Sequence, residues 1–368
     1  MKSYKSLKIK RIEIPSQSIK FSKKTSKLKK TNINPTINPY KKKFTYVKRN
    51  GEEIKDTEIL TRIKNLKIPP NYENVLINKN ENSNLQAIGY DNKGRRQYIY
   101  HTDYILKNKS KKYEKYIILG NYIHKIKRDY NQIIDKIHNK PYNKWSQPSS
   151  NIAIIVFLLN EALFRIGNHK YYERYGSFGI TTLQEQHITF NDDKKLTYIK
   201  FIGKKGVINE CILTDDKLYD VFKILKGHNT GNFIFDFKSN KYVYSLTGDD
   251  IQKFLLNYHP EVTAKMFRTW HTNCYFIKIL KNNLEYLTNL KSNFTLKLKK
   301  KFIKKACEDI SIKLHNTATV IKNSYLNNLL FDLFMNNTKQ LLQYLTEATD
   351  LSIDKTLMYI EKELRSKK

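Results

Sequence analysis

The longest periodic stretch of the chain runs from Tyr113 to His138, where Tyr116, Ile117, Tyr122, Ile123, Ile126, Ile133, Ile134 and Ile137 recur at helical spacing and predict a long amphipathic helix. Ile152 to Leu159 is an unbroken apolar run stopped by Asn160 and Glu161. It falls far short of the roughly 20 residues that span a bilayer, so it predicts a buried helix. Between Phe44 and Asp103 the pattern changes to short apolar segments separated by turn signals: Asn50-Gly51, Pro69-Pro70-Asn71 and Asp91-Asn92-Lys93-Gly94. Such punctuation predicts small strands. A second extended region, Ile188 to Leu213, reads as a β-hairpin set into helical surroundings: Leu196 to Ile202, a Gly203-Lys204-Lys205-Gly206 turn, then Val207 to Leu213. After Tyr325, the spacing of Leu329, Leu330, Leu333, Phe334, Leu341, Leu342 and Leu345 predicts helices packed on the core. The expected fold class is therefore α+β, a small β-rich N-terminal domain at 46–105 followed by a mainly helical domain at 106–368.

Residues 1–45 stand apart, because Lys recurs at nearly every third position and Glu13 is the only acid. Self-repulsion and low hydrophobicity predict a basic, disordered arm there. The excess of 68 Lys and Arg over 34 Asp and Glu gives a formal net charge of +34, a field that draws the chain to polyphosphate. Nucleic acid is the expected partner and a membrane is not. Three cysteines, Cys211, Cys274 and Cys307, include no CxxC pair, so neither a disulfide framework nor a zinc module is expected and the compartment reads as reducing. The first residues resemble neither a secretory signal nor an Arg-rich presequence.

The absence of familiar motifs narrows the chemistry. No phosphate-binding Gly-x-x-x-x-Gly-Lys-Ser/Thr loop occurs, nine histidines show no metal-ligand spacing, and no acid pair suits a two-metal nuclease. The expectation is chemistry on DNA without ATP and without a metal. Such chemistry needs fixed cations on the non-bridging phosphate oxygens, an oxygen nucleophile, and an acid for the leaving alkoxide. Arg, Tyr and Lys can fill these roles in that order. Composition cannot choose among 26 tyrosines.

Local strings do choose, and together they resemble the poxvirus-type topoisomerase IB family over about residues 65–345. Asp91-Asn-Lys-Gly-Arg-Arg-Gln-Tyr-Ile-Tyr100 is similar to the strand with which that family reads DNA, which implies DNA contacts from Arg95, Arg96, Gln97, Tyr98 and Tyr100. Phe164-Arg165-Ile-Gly167, followed by Tyr171 and by Gly176 to Gly179, resembles the segment of the first catalytic arginine, implying Arg165 at the phosphate and Tyr171 on DNA. Phe201-Ile-Gly-Lys204 is similar to the motif of the catalytic lysine, which implies Lys204 as proton donor. Lys265-Met-Phe-Arg268-Thr resembles the stretch of the second arginine, implying Arg268 at the phosphate and Lys265 on DNA; tyrosine recombinases usually carry His where Lys265 stands. In the family's last motif a His or Asn precedes the nucleophile by nine residues, a spacing met by Asn316 and Tyr325.

Two departures accompany that last motif, His315 where Gly is usual and Ala318 where Pro is usual, so His315 is kept as an alternative to Asn316. The resemblance implies the catalytic domain shared by topoisomerase IB enzymes and tyrosine recombinases. It also implies a C-shaped clamp on duplex DNA, a 3′-phosphotyrosyl intermediate, supercoil relaxation as a monomer, and no cofactor. A tyrosine recombinase or integrase, or a non-catalytic architectural DNA-binding protein, are the competing readings. Heavy use of Lys, Asn, Ile and Tyr suits an AT-rich genome, and with the resemblance it points to a large DNA virus, with an intracellular site of action at viral replication and in the virion.

Overall fold

The computed structural model describes residues 7–14, 43–228, 231–290 and 293–366. It divides into two compact units, one ending at Ser110 and the other starting at Lys111.

The first unit is a five-stranded antiparallel sheet with one helix. Its elements are β1 (Leu7–Ile14), β2 (Lys43–Lys48), α1 (Thr57–Asn65), β3 (Glu73–Asn78), β4 (Leu85–Tyr90) and β5 (Arg96–Tyr100), and the strands lie in the order β2-β1-β3-β4-β5. Ile9, Ile54, Ile63, Val75, Ile77 and Ala87 form its small core. β1 corrects the expectation of a disordered arm through residue 45. In Leu7-Lys-Ile-Lys-Arg11 every second side chain turns inward, and Ile9 and Arg11 are buried while Lys8 and Lys10 face out. The buried Arg11 guanidinium donates to the carbonyls of Pro69 and Tyr72 and lies 4.2 Å from the centre of the Phe44 ring. The basic composition hid a strand whose charges alternate with its core positions. The rest of the expected arm, residues 1–6 and 15–42, lies outside the described residues. Helix α1 was also unforeseen. Asp56 caps it by accepting from the Glu58 and Ile59 amides, and Ile63 is its buried anchor.

α2 (Thr102–Ile137) begins in the first unit and continues in the second. The second unit then contains α3 (Ser149–Asn160), α4 (His169–Tyr175), β6 (Ile188–Asn191), β7 (Leu196–Ile202), β8 (Ile208–Leu213), α5 (Asp216–Gly227), β9 (Phe237–Ser239), β10 (Tyr242–Tyr244), α6 (Gly248–Leu256), α7 (Ala264–Asn282), α8 (Leu284–Asn289), α9 (Leu296–Lys313), α10 (Ala318–Ser324), α11 (Asn328–Asn336), α12 (Thr338–Glu347) and α13 (Ile353–Ser366). The chain is thus a small antiparallel sheet region followed by a mostly helical body. α3 is buried from Ser150 to Asn160, consistent with a sequence apolar on every face. α7 crosses the centre of this unit, with Phe267, Trp270, Phe276 and Ile277 buried. Gly120 of α2 allows close helix packing: a Cβ there would meet the Trp270 indole at 2.4 Å and the Met358 sulfur of α13 at 2.8 Å. β6, β7 and β8 form a three-stranded antiparallel sheet in which Ile202 pairs with Ile208 across the turn holding Lys204. Among the described residues no helix is long and apolar enough to cross a membrane.

Candidate active site

Arg165 sits in the loop after α3, and its position depends on two glycines. Gly167 adopts φ +104°, which favours glycine, and a Cβ on Gly179 would fall 2.5 Å from the Gly167 backbone and 2.8 Å from the Arg165 carbonyl. This close crossing lets the Ile180 amide bond the Arg165 carbonyl at 2.9 Å and the Thr181 amide bond that of Ile166 at 2.6 Å. The paired Gly segments of the sequence motif therefore lock the backbone that carries the guanidinium. Arg165 Nη2 donates to Asn316 Oδ1 at 2.8 Å.

Arg268 lies on the first turns of α7 and is buried, with 3% of its surface exposed. Its guanidinium donates to the carbonyls of Leu163 and Leu314, and its Nε donates to the Tyr325 hydroxyl oxygen at 3.3 Å. Leu163 takes a left-handed conformation, φ +55°, which is costly for a branched residue and marks a constrained backbone next to the cluster. Burial, and then repulsion from Arg165, lower the Arg268 pKa to about 10, so the group stays charged at neutral pH. Among the described residues neither Arg165 nor Arg268 has a salt-bridge partner. Two neighbouring guanidiniums without a carboxylate form a cationic cradle suited to a phosphate.

The segment joining α9 to α10 explains both departures from the family pattern. The His315 amide donates to the Ile312 carbonyl and the Asn316 amide to that of Ser311, a Schellman motif that places His315 at φ +48°. Gly is usual at such a position because the left-handed conformation suits it. Thr317 caps α10 by accepting from the Val320 amide, so Ala318 is the first helical residue, where Pro is favoured. Both unusual residues occupy positions whose preference is a backbone matter. Asn316 instead faces Arg165, while the His315 ring packs on Phe164 with centroids 5.4 Å apart. Burial, then the charge of Arg268, lower the His315 pKa to about 4, which keeps it neutral at neutral pH. Asn316→Ala is expected to slow DNA cleavage by roughly 10²–10³-fold, the scale of losing one oxyanion donor. His315→Gly should leave the rate near that of the native chain, since Gly adopts the left-handed turn freely. Single-turnover cleavage of both variants checks this, and a slow His315 variant beside a fast Asn316 variant would exchange their roles.

Tyr325 follows α10 directly and is 7% exposed. Burial alone would push its phenol pKa up. The charge and hydrogen bond of Arg268, with the charges of Arg165 and Lys265, outweigh that effect and hold the phenol below its ordinary value. Asn273, which no motif singled out as functional, holds the nucleophile's backbone: its Nδ2 donates to the Tyr325 carbonyl at 3.1 Å, and its Oδ1 accepts from the Asn327 amide at 2.8 Å. Its place five residues after Arg268 was the available signal.

Lys204 is exposed on the short turn between β7 and β8. The turn end of that hairpin is tied to the site by Phe201, whose ring packs edge-on against Phe164 at 4.9 Å, and by the Phe178 amide bonded to the Ile202 carbonyl. Tyr171 is exposed on α4, and Lys265 is exposed at the start of α7. In the first unit, strand alternation separates residues that the motif had grouped. Tyr98 and Tyr100 are exposed and their rings stack at 6.1 Å, and Arg96 reaches the Tyr90 hydroxyl at 2.9 Å. Gln97 points the other way and donates to Asp91 at 2.9 Å. Arg95 also binds Asp91, holding that carboxyl down to about 2.

Acid should destabilise the folded chain. His271, three residues beyond Arg268, bonds Asn160 at 2.9 Å, and burial lowers its pKa to about 4, as for His315. Between the ordinary value near 6.5 and about 4 the unfolded chain binds protons that the folded chain does not. Stability present above pH 6.5 is therefore lost as pH falls towards 4, on the order of 2–3 kcal/mol for His271. Melting midpoints across this range should show the loss, and His271→Gln should flatten it.

Residues 96–350 match the family described as eukaryotic DNA topoisomerase I, catalytic core, and residues 43–91 match that described as bacterial DNA topoisomerase IB, N-terminal domain. The DNA topoisomerase 1B of Acanthamoeba polyphaga mimivirus is 28% identical over 307 residues, covering 82% of this chain and 88% of its own. The DNA topoisomerase 1B of vaccinia virus (strain Copenhagen) is 27% identical over 246 residues, covering 66% of this chain and 70% of its own. The DNA topoisomerase 1 of rabbit fibroma virus (strain Kasza) is 25% identical over 337 residues, covering 86% and 96%. The first match spans well over half the sequence and contains the whole arginine, asparagine and tyrosine cluster, and the chain belongs to the type IB DNA topoisomerase family.

Proposed function

We propose that this DNA topoisomerase relaxes duplex DNA by nicking one strand through Tyr325 and resealing it, with Arg165, Arg268 and Asn316 holding the scissile phosphate. The observation that carries this reading is the 3.3 Å hydrogen bond from buried Arg268 to the Tyr325 oxygen, beside half-buried Arg165. The phenol oxygen attacks phosphorus, the bond to the 5′ oxygen breaks, and a 3′-phosphotyrosyl ester forms. Charge on the non-bridging oxygens falls between the two guanidiniums and the Asn316 amide. The nucleophile's own proton passes to solvent water, a loss the surrounding cations favour by stabilising the phenolate.

Lys204 is proposed to protonate the departing 5′ oxygen, the hairpin turn bringing it in when DNA is bound. Lys204→Ala should slow cleavage by roughly 10²–10⁴-fold, as removal of a general acid does. A bridging 5′ sulfur, which leaves without a proton, should restore the rate. Failure of sulfur to rescue would remove Lys204 from that role.

Resealing is the same chemistry reversed. The ester conserves the phosphodiester bond energy, so neither ATP nor a metal is required. For binding we propose a C-shaped clamp on the duplex, formed by one protein molecule, with Arg95, Arg96, Gln97, Tyr98, Tyr100, Tyr171 and Lys265 as DNA contacts. The relatives that cover most of this chain are viral proteins, and we place its work inside an infected cell, where viral DNA replicates, and in the virion. The test is supercoiled plasmid of either sign incubated with the protein in EDTA without ATP: relaxation of both is expected. A requirement for magnesium or ATP would overturn the proposed mechanism.

A further inference from the structure

The carboxyl group of Glu361, on α13, is fully buried beneath the site and takes no part in the chemistry above. It accepts from the Tyr116 hydroxyl of α2 at 2.5 Å and from Asn327 Nδ2, and Arg365 Nη2 lies 3.4 Å from its other oxygen. Asn327 is itself fully buried, caps α11 by accepting from the Leu329 amide at 3.0 Å, and gives its own amide to Asn273. Asn273 in turn holds the Tyr325 carbonyl. Arg365 is tied back to α2 by a 2.9 Å bond to the Tyr113 carbonyl. A continuous polar chain thus runs from α2 and α13 to the Tyr325 carbonyl and to the backbone just after the nucleophile. All of α13 lies beyond residue 350, outside the stretch matched to the catalytic-core family.

We propose that Glu361 is a positioning residue for Tyr325, acting through Asn327 to fix the backbone that presents the phenol to Arg268. A buried carboxyl is expensive to keep unless it is fully hydrogen-bonded, and replacing such a group by apolar packing is often neutral or stabilising. Burial pushes the Glu361 pKa up, opposed by Tyr116, Asn327 and Arg365. Two of its partners face α2 and the third leads to Tyr325, so what the carboxyl secures is geometry at the nucleophile. A displacement of about 1 Å there costs roughly 100-fold in rate.

The inference rests on Tyr325 being the nucleophile, and the test separates the two claims. Native full-length chain, Asn327→Ser, Glu361→Leu and Glu361→Gln are compared for initial rate of SDS-trapped DNA adduct, for duplex affinity, and for melting midpoint, with rates taken well below each midpoint. Ser keeps the capping oxygen for α11 but is too short to reach Glu361. Asn327→Ser and Glu361→Leu are expected to form adduct roughly 10- to 100-fold more slowly at native affinity for DNA. Glu361→Gln should recover most of the rate, because its amide oxygen still accepts from Tyr116 and Asn327. A purely structural role would lower the melting midpoint and leave the rate of the folded protein unchanged. Native rate in Asn327→Ser overturns the inference, and this variant decides alone if Glu361→Leu does not fold. Absence of adduct in the native chain, or adduct on another residue, would instead overturn the assignment of Tyr325.

Discussion

Tyr325→Phe is expected to abolish both plasmid relaxation and the covalent DNA adduct while leaving duplex affinity near that of the native chain. The substitution removes one oxygen from a ring that is 7% exposed and leaves the packing of α10 and α11 in place. That oxygen is the atom proposed to bond phosphorus, and no water placed nearby would preserve the bond energy needed for resealing. Affinity should persist because it comes from phosphate contacts spread over a chain of net charge +34. Gel relaxation, SDS trapping and a salt titration of binding check the three parts separately. Residual relaxation in the Phe variant would mean that another residue attacks.

Arg268→Ala should give the second largest loss, a fall in cleavage of roughly 10²–10³-fold or more. Three effects combine: the phosphate loses a cation, the phenol loses the partner that lowers its pKa, and the Leu163 carbonyl loses its Arg268 donor while that of Leu314 keeps only Asn316 Nδ2. The orphaned Leu163 carbonyl should also lower stability by about 1–3 kcal/mol. Arg268→Lys is expected to restore little, because an ammonium cannot bridge two carbonyls and the phenol as a planar fork does. Cleavage rate and melting midpoint, measured together, separate the catalytic loss from the structural one. A Lys variant with native rate would show that charge alone suffices.

Much of the site could be read from the sequence because its parts are constrained locally. Gly167 and Gly179 appear in a motif because two backbone segments cross where no Cβ fits. The nine-residue interval from Asn316 to Tyr325 is the length of a Schellman turn, a capping Thr and one short helix. His315 and Ala318 looked like irregularities in the string, and the backbone accounts for them as residues standing at a left-handed position and a helix start.

What escaped was set by contacts distant in sequence. Glu361 and Tyr116 are 245 residues apart and meet only once α2, α7 and α13 have packed around Trp270 and Gly120. Asn273 gives no periodic signal, since an asparagine inside a helix is as often solvated as structural. At the other end of the chain, β1 was concealed by its own charges. Arg11 looked like part of a basic tail, yet it is buried and bonded to two carbonyls of the Pro69–Tyr72 turn. Gln97 shows the limit of a linear motif: the string groups it with Tyr98 and Tyr100, whereas the two-residue period of β5 sets its side chain on the other face, bonded to Asp91.

The most direct measurement is the identity of the trapped bond. Supercoiled plasmid is incubated with the native chain in EDTA without ATP, stopped with SDS, digested with nuclease and protease, and the nucleotide-bearing peptide is sequenced. A phosphodiester joining the 3′ end of the cleaved strand to Tyr325 is the predicted product. A linkage to the 5′ end, to a different tyrosine, or no covalent adduct from a chain that still relaxes DNA would contradict the mechanism.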